Sequence, residues 1–295
     1  MFDMGAWIAK GSLTMDTEQY EGLPHYLSLG AGVQSSTLAL MYSLGELQPM
    51  PKAAIFADTQ AEPKSVYDWL NWLEGQLRFP VHRVSKGSLK DEVLKMRVTK
   101  DGRKFSRTDI PIYTLNEKTG SEGAVPNRSC TRVYKIKPIN QFLRNAVPIK
   151  RGEKRPQCVS VIGISLDEIR RMKPSRDAWV LCRWPLIEKR ITRTACIEWM
   201  AKKGYPKPPR SACVFCPYHS NKEWRRLQTE EPEEFLAAVE FERQLQEAKR
   251  NSDNFFTKPF LHNSRKPLDT IDFRSDVERG QQLLWQDECE GMCGV

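Results

Sequence analysis

The sequence predicts an α/β protein: a doubly wound, mostly parallel sheet followed by a smaller helical, cysteine-bearing C-terminal region. Three observations lead there. Strand-like stretches at 25–29, 53–57 and 81–85 alternate with stretches of helical periodicity, the pattern of strands joined by right-handed crossovers. A turn rich in glycine and hydroxyl groups, Gly30-Ala31-Gly32-Val33-Gln34-Ser35-Ser36-Thr37, separates the first run from the first helical stretch. A cysteine knuckle, Cys213-Val214-Phe215-Cys216, arrives only after the last strand-like run.

Taken in order, "HYLSL" (25–29) reads as a short buried strand. Ser35 is expected to cap the next helix, with Leu38, Met41 and Leu44 on one face and Gly45 as its stop. "AAIFA" (53–57) is a second strand. Pro63 suits the first turn of the helix that follows, where Val66, Leu70, Leu73 and Leu77 recur at helical spacing. Trp69 and Trp72 flank that stripe and are assigned to core or interface. "VHRVS" (81–85) is a third strand.

Residues 98–127 are polar, carry Gly and Pro, and show no clear period. They read as a mobile loop or, given Arg103, Lys104, Arg107 and Arg128, as a lid over a phosphate site. A helix is expected over 131–144, a strand over 158–164, a helix near 193–203, and another after Pro232 with Ala238, Phe241 and Leu245 on one face. The implied organisation is an N-terminal arm (1–24), a nucleotide-binding α/β domain (25–190) and a C-terminal helical region (191–295).

The 295 residues are 40% hydrophobic and 28% charged, ordinary for a globular chain. No apolar run approaches the roughly 20 residues that span a bilayer. The N-terminus lacks the continuous apolar core of a signal peptide, Met15 is an alternative start, and the expectation is a cytoplasmic protein with no membrane partner. The net charge of +9 suits DNA, RNA or a phosphorylated small molecule, and equally a solvated basic surface.

A glycine-rich strand-to-helix turn offers backbone N–H groups and a helix N-terminus to an anion. The spacing here is neither G-x-G-x-x-G nor a Walker-type G-K-[ST]. It resembles instead the pyrophosphate loop (PP-loop) of the adenine nucleotide α-hydrolase superfamily, which includes ATP pyrophosphatases and phosphoadenosine phosphosulfate (PAPS) reductases. ATP-cleaving members read S-G-G-x-D-S; Gly32-Val33-Gln34 is more similar to the G-x-Q of the sulfonucleotide reductases. Gln for Asp removes a carboxylate that could help to position a metal ion. "FADTQAEP" (56–63) resembles the segment after that family's second strand. "CTRVYKIKP" (130–138) resembles its C-x-x-x-K-[VI]-x-P stretch, and "GISLDEIRRMKPS" (163–175) its G-x-R-x-x-E-S-x-x-R motif, with Ser165 in place of the first arginine. The resemblance covers roughly residues 25–220. It implies an adenine nucleotide α-hydrolase-like, Rossmann-like sheet. It also implies nucleotide contacts at Ser28, Gly30, Gly32, Gln34, Ser35, Ser36, Asp58, Thr59, Gly163 and Arg170, with ATP, APS or PAPS as the nucleotide and magnesium as a further candidate.

Eight cysteines stand at 130, 158, 182, 196, 213, 216, 289 and 293. Cys158 and Cys182 sit in apolar surroundings and read as buried small hydrophobes. Cys130, Cys213 and Cys216 form the candidate metal set. Zinc could use these three with His219, and a redox dithiol at 213/216 is a further reading. The resemblance implies a [4Fe–4S] cluster, with Cys196, Cys289 or Cys293 as a fourth ligand. The tail "DECEGMCGV" resembles the mobile E-C-G segment of PAPS reductases, which makes Cys289 a candidate catalytic nucleophile; a docked structural tail is the other reading. Arg132 and Lys135, beside Cys130, are candidate catalytic cations, and Arg170, Arg171, Lys173 and Arg176 form a second basic group. Trp224 among basic residues could contact nucleic acid or pack at a seam.

These features imply an enzyme of the PAPS reductase-like family. The leading expectation is an Fe–S-dependent sulfurtransferase acting on DNA or RNA through adenylate activation, with a sulfur donor or thiol-reductant protein as partner. A sulfite-releasing APS or PAPS reductase is the alternative, and a non-catalytic, metal-containing nucleic-acid-binding module is a third reading.

Overall fold

The computed structural model describes residues 18–126, 128–150, 152–253 and 257–274. In chain order the strands are β1 (His25–Leu29), β2 (Ala53–Asp58), β3 (Val81–Ser85), β4 (Met96–Val98), β5 (Lys104–Ser106), β6 (Ile112–Leu115), β7 (Glu122–Val125), β8 (Cys158–Ile162), β9 (Val180–Arg183) and β10 (Lys258–Phe260). The helices are α1 (Val33–Ser43), α2 (Lys64–Glu74), α3 (Leu89–Leu94), α4 (Lys137–Ala146), α5 (Pro185–Glu188), α6 (Arg193–Lys202), α7 (Asn221–Glu230) and α8 (Pro232–Arg250). They form two compact units. The first takes the chain up to Ala57, then Ser65–Val84 and Ile139–Ser211; the second takes Asp58–Lys64, Ser85–Pro138 and the chain from Ala212 onward. These units are drawn differently from the sequence division at 190/191, because two excursions leave the sheet before it is complete.

The first unit is built on a five-stranded sheet in the order β3-β2-β1-β8-β9. β1 runs parallel to both β2 and β8, and β8 parallel to β9. The chain winds outward from β1 to β3, then restarts at β8 on the other side. The fold is therefore the doubly wound α/β class that the sequence predicts. The reversal between β1 and β8 creates a topological switch point, and ligands of such sheets bind beyond the carboxyl ends of the strands there. Ser28 lies in register with Ile55 and Ile162, so Gly30 and Gly163 follow the ends of adjacent central strands.

Helices covering both faces of a parallel sheet require its strands to be apolar throughout. Leu27, Ala54, Val159 and Val161 are accordingly fully buried. Every residue of α1 is buried, so its sequence shows less of a stripe than a surface helix would. Leu38 and Met41 are buried as expected, whereas Leu44 is the C-cap and is 42% exposed. Gly45 does end the helix: at φ +78 its N–H donates to Tyr42 O, while Glu46 N–H donates to Met41 O, both at 2.9 Å. This is the paired-bond stop that favours glycine. On α2, Val66, Leu70 and Leu73 are buried, and the Trp69 indole N–H donates to Ser36 Oγ at 3.0 Å.

In the second unit, β10, β6 and β7 form an antiparallel sheet and β4 pairs with β5. The segment 98–127, expected as a mobile loop or a lid, thus holds three short strands, β5, β6 and β7. They span three or four residues each, too few for alternation to register as a pattern. Phe215 stacks on Phe241 with ring centroids 4.0 Å apart, and Leu227, Ala238 and Leu245 complete the interior. Trp224 is fully buried there, which removes it as a nucleic-acid contact. Glu242 is buried, and its carboxylate accepts the N–H groups of Leu261 and Leu268, both at 2.8 Å. Burial holds its pKa above the usual carboxylate range, against the pull of those two donors. Among the described residues, no helix is long and apolar enough to cross a membrane.

Candidate functional site

The chain leaves β1 through Gly30, turns at Ala31 in the left-handed region (φ +55), and enters α1 from Gly32. Gly32 is the N-cap, in extended conformation and without a capping side chain. Ser35, expected as the cap, lies inside the first turn. Its Oγ accepts the Gly30 N–H at 3.2 Å and donates to Gly32 O at 3.3 Å, tying the turn to itself. The correction has a simple cause: Gly32 already supplies the extended cap conformation, so the helix starts three residues earlier. Ser36 N–H makes the first intrahelical bond, to Gly32 O at 3.0 Å. The amides of Val33, Gln34 and Ser35 precede it and face the end of the helix.

Gly163, after β8, closes the other side. A Cβ at this position would stand 2.8 Å from Ser35 N and 2.9 Å from Ser35 Cα. Only glycine lets the two strand ends come this close. At Gly32 the opposite holds: a Cβ would meet nothing nearer than Ser211 Cβ at 3.8 Å. The turn is therefore tight toward Gly163 and open at Gly32, the shape that admits a phosphate to backbone amides.

Gln34 is buried, and its side chain gathers three segments. The amide Nε2 donates to Glu168 Oε2 at 3.1 Å and to Ser165 Oγ at 3.4 Å. The carbonyl Oε1 accepts from Arg193 Nη1 at 3.2 Å. Glu168 is in turn held by Arg171 at 2.7 Å. Of the second basic group, Arg171 thus joins the network, while Arg170, Lys173 and Arg176 are exposed. Arg193 stands at the first position of α6, its own N–H bonded to Asp167 Oδ1 at 2.9 Å. Sequence reasoning missed Arg193, because only the β8–β9 topology and the turn over 166–171 bring the start of α6 to Gln34.

Asp58 and Thr59 follow Ala57 into the second unit. Asp58 Oδ1 accepts the Gln60 N–H at 2.7 Å and so shapes a local turn. Thr59 is buried, with its hydroxyl 3.4 Å from Cys213 Sγ. Val214 N–H donates to Ala61 O at 2.7 Å, which fixes the knuckle beside this segment. Cys130 precedes a π-helical stretch, Thr131–Ile136, an irregularity that recurs at functional sites. Lys135 lies in that stretch and pairs with Glu62 at 3.3 Å; their side chains are 23% and 1% exposed.

Charge organises this cluster. Burial works against the Lys135 ammonium, but Glu62 and the thiols of Cys213 and Cys216 outweigh it and hold its pKa above the usual range. Burial, reinforced by Glu62 and opposed by Lys135, pushes the Cys213 thiol up to about 12. Burial also raises Cys130, with Thr131, Lys135 and Arg128 pulling the other way. Without a partner for sulfur these are protonated thiols; a thiophilic metal would displace the protons. The fit can be tested on this donor set. Three thiols from two segments lie near one lysine, whose charge is already shared with Glu62. Among the described residues, however, no group of three or more His, Cys, Asp or Glu side chains is gathered to hold a single metal ion. A zinc ion draws its sulfurs onto one point, each about 2.3 Å away. His219, the nitrogen ligand of the zinc reading, uses Nε2–H on Cys213 O at 2.9 Å.

Other predicted positions fall elsewhere. Arg132 is exposed. Cys196 is buried in the interior of the first unit, its thiol pushed by burial to about 12. Burial likewise raises Cys158 to about 12 and Cys182 to about 11. Ser28 is half-buried on β1. Cys289 and Cys293 lie outside the described residues.

The chain matches no protein-family profile, and no curated protein sequence is significantly similar to it. Among solved structures, a phosphoadenylyl-sulfate (PAPS) reductase from Candida auris, in a phosphate complex, aligns at 12% identity over 68% of this chain and 84% of its own, with a TM-score of 0.42. The U34-tRNA thiolase NcsA from Methanococcus maripaludis, with its [4Fe–4S] cluster, aligns at 16% identity over 80% of this chain and 75% of its own, with a TM-score of 0.31.

Proposed function

We propose that this chain is an enzyme that binds an adenine nucleotide by its phosphates at the β1–α1 turn and transfers sulfur to a nucleic acid. The observation that carries the nucleotide half is the close approach of Gly163 to Ser35, which leaves a narrow, amide-lined opening at Gly32. Bound phosphate oxygens there accept from first-turn amides, with the helix dipole favouring their charge. The acceptor oxygen attacks the α-phosphorus and pyrophosphate leaves; sulfide then attacks the activated carbon, and AMP departs with the oxygen. Stabilising charge on the phosphates is the task of backbone amides and nearby guanidinium groups.

The sulfur half rests on the thiols of Cys130, Cys213 and Cys216 around the Lys135–Glu62 pair. These cysteines would hold a [4Fe–4S] cluster, which supplies one iron without a protein thiolate, open to sulfide. Lys135 would place a cation beside these sulfurs, and Thr59 lies within hydrogen-bond reach of the Cys213 sulfur. The alternative, a sulfonucleotide reductase releasing sulfite, draws support from a neutral Gln34 where ATP-cleaving relatives carry a carboxylate.

One set of assays on the anaerobically purified chain separates these readings. Iron and sulfide content, with RNA- or DNA-dependent release of pyrophosphate from ATP, supports sulfur transfer. Sulfite released from APS or PAPS with a thiol reductant supports the alternative. Nucleic-acid retention with neither turnover overturns both in favour of a binding module.

A further inference from the structure

We propose that Arg193 is a phosphate-contacting residue of the β1–α1 turn, parked on Gln34 until a ligand arrives. The inference rests on the reading of that turn given above, and names a cation that no sequence motif assigns. Arg193 enters from α6, and its Nη1 lies 3.2 Å from Gln34 Oε1. Gln34 is the second residue of α1, so the guanidinium stands one side chain away from the amides expected to hold phosphate. Its situation is unusual for a half-buried arginine. Among the described residues it has no carboxylate partner, although Arg171 nearby is paired with Glu168. Of the five N–H donors of a guanidinium, the side-chain bond to Gln34 uses one. A neutral amide acceptor restrains Arg193 weakly and leaves its charge uncompensated, whereas a phosphate oxygen takes both charge and donors, in fork geometry where two oxygens are offered.

The backbone makes Arg193 a clean target. Its N–H bond to Asp167 and the Thr192 cap, whose hydroxyl accepts Ala195 N–H at 3.2 Å, do not involve its side chain. Arg193→Ala should therefore leave α6 and the melting temperature intact.

The test is calorimetric binding of ATP, PAPS and adenosine to the full chain, with four variants. Arg193→Ala is expected to weaken both nucleotides about tenfold to a hundredfold and leave adenosine unchanged. Arg193→Lys, which keeps charge without the fork, should fall between. Lys202→Ala, on an exposed side chain in the last turn of α6, should bind within about twofold of wild type. Gly32→Ala reports on the turn itself. If Gly32→Ala weakens nucleotide binding and Arg193→Ala does not, the role of Arg193 is overturned while the site stands. If wild type binds neither nucleotide, or Gly32→Ala binds both normally, the site and Arg193's place in it are overturned together. An Arg193→Ala variant that loses adenosine along with the nucleotides also refutes a phosphate-specific role.

Discussion

Replacing Gly32 with alanine separates what the β1–α1 turn needs to fold from what it needs to bind. Gly32 sits at φ −95, ψ 179, an extended conformation open to any L-residue. The added methyl would meet only Ser211 Cβ, at 3.8 Å, an ordinary contact. Two small terms then act on stability. Loss of unfolded-state freedom favours alanine by about 0.4–1 kcal/mol, and the preference of the N-cap for glycine over alanine opposes it by a similar amount. The variant should melt within a few degrees of wild type. Binding is another matter, because the methyl occupies the opening through which phosphate reaches the first-turn amides. A loss of two charge-assisted hydrogen bonds, at about 1.5 kcal/mol or more each, weakens ATP or PAPS at least a hundredfold. Calorimetric titration beside a thermal melt reads both effects. Gly163→Ala is the contrast: its Cβ would sit 2.8 Å from Ser35 N, and overpacking should cost about 1–3 kcal/mol of stability. Unchanged nucleotide affinity in a well-folded Gly32→Ala protein would refute the assignment of the amides.

The thiol cluster and the sheet yield three more expectations. Lys135→Met leaves the Glu62 carboxylate, 1% exposed, without its cation; denaturant melts should show a loss of about 1–3 kcal/mol, largely restored by adding Glu62→Gln. Cys213→Ser should strip iron and sulfide from anaerobically purified protein, and full iron retention would remove Cys213 from the ligand set. His25 is buried at the start of β1, where burial and then the charge of Arg183 lower its pKa from 6.5 to about 4. The unfolded chain therefore binds the proton more readily, so stability should fall as pH drops from 6.5 toward 4, by up to about 1.4 kcal/mol per pH unit. His25→Leu should flatten that part of the stability profile; an unchanged slope would show that another group sets it.

The sheet was readable because parallel strands buried on both faces leave uninterrupted apolar runs. His25–Leu29 and Ala53–Asp58 lie where those runs do, whereas the edge strand Val81–Ser85 is polar in part and not buried. The stripe of α2 was equally plain, since Val66, Leu70 and Leu73 face inward while its other side meets solvent. What failed to register has physical reasons. α1 is buried all round, so its capping had to be guessed from residue type, and Ser35 was a better-looking cap than Gly32. β4 to β7 span three or four residues each. Antiparallel pairing, which stabilises such short strands, is a property of two segments and leaves no local period.

The candidate site shows in the sequence only where the proposed use asks for particular backbone chemistry. Gly30, Gly32 and Gly163 stand out because no side chain fits the proposed use, or, at Gly163, the packing itself. The side-chain network around them is set by pairs, and pairs are invisible one residue at a time. Gln34 illustrates this. A carboxylate at position 34, as in S-G-G-x-D-S, would point at Glu168, whose Oε2 lies 3.1 Å from the Gln34 amide nitrogen. A second carboxylate facing Glu168 would repel it unless a cation or a shared proton lay between them. The neutral amide at 34 and the acid at 168 are thus a single choice. The same reasoning reaches Ser165, where the motif it resembles carries arginine. Ser165 is fully buried, and its hydroxyl accepts from Gln34. An arginine there would have to displace this contact, and the guanidinium beside Gln34 instead comes from Arg193, at the start of a different helix.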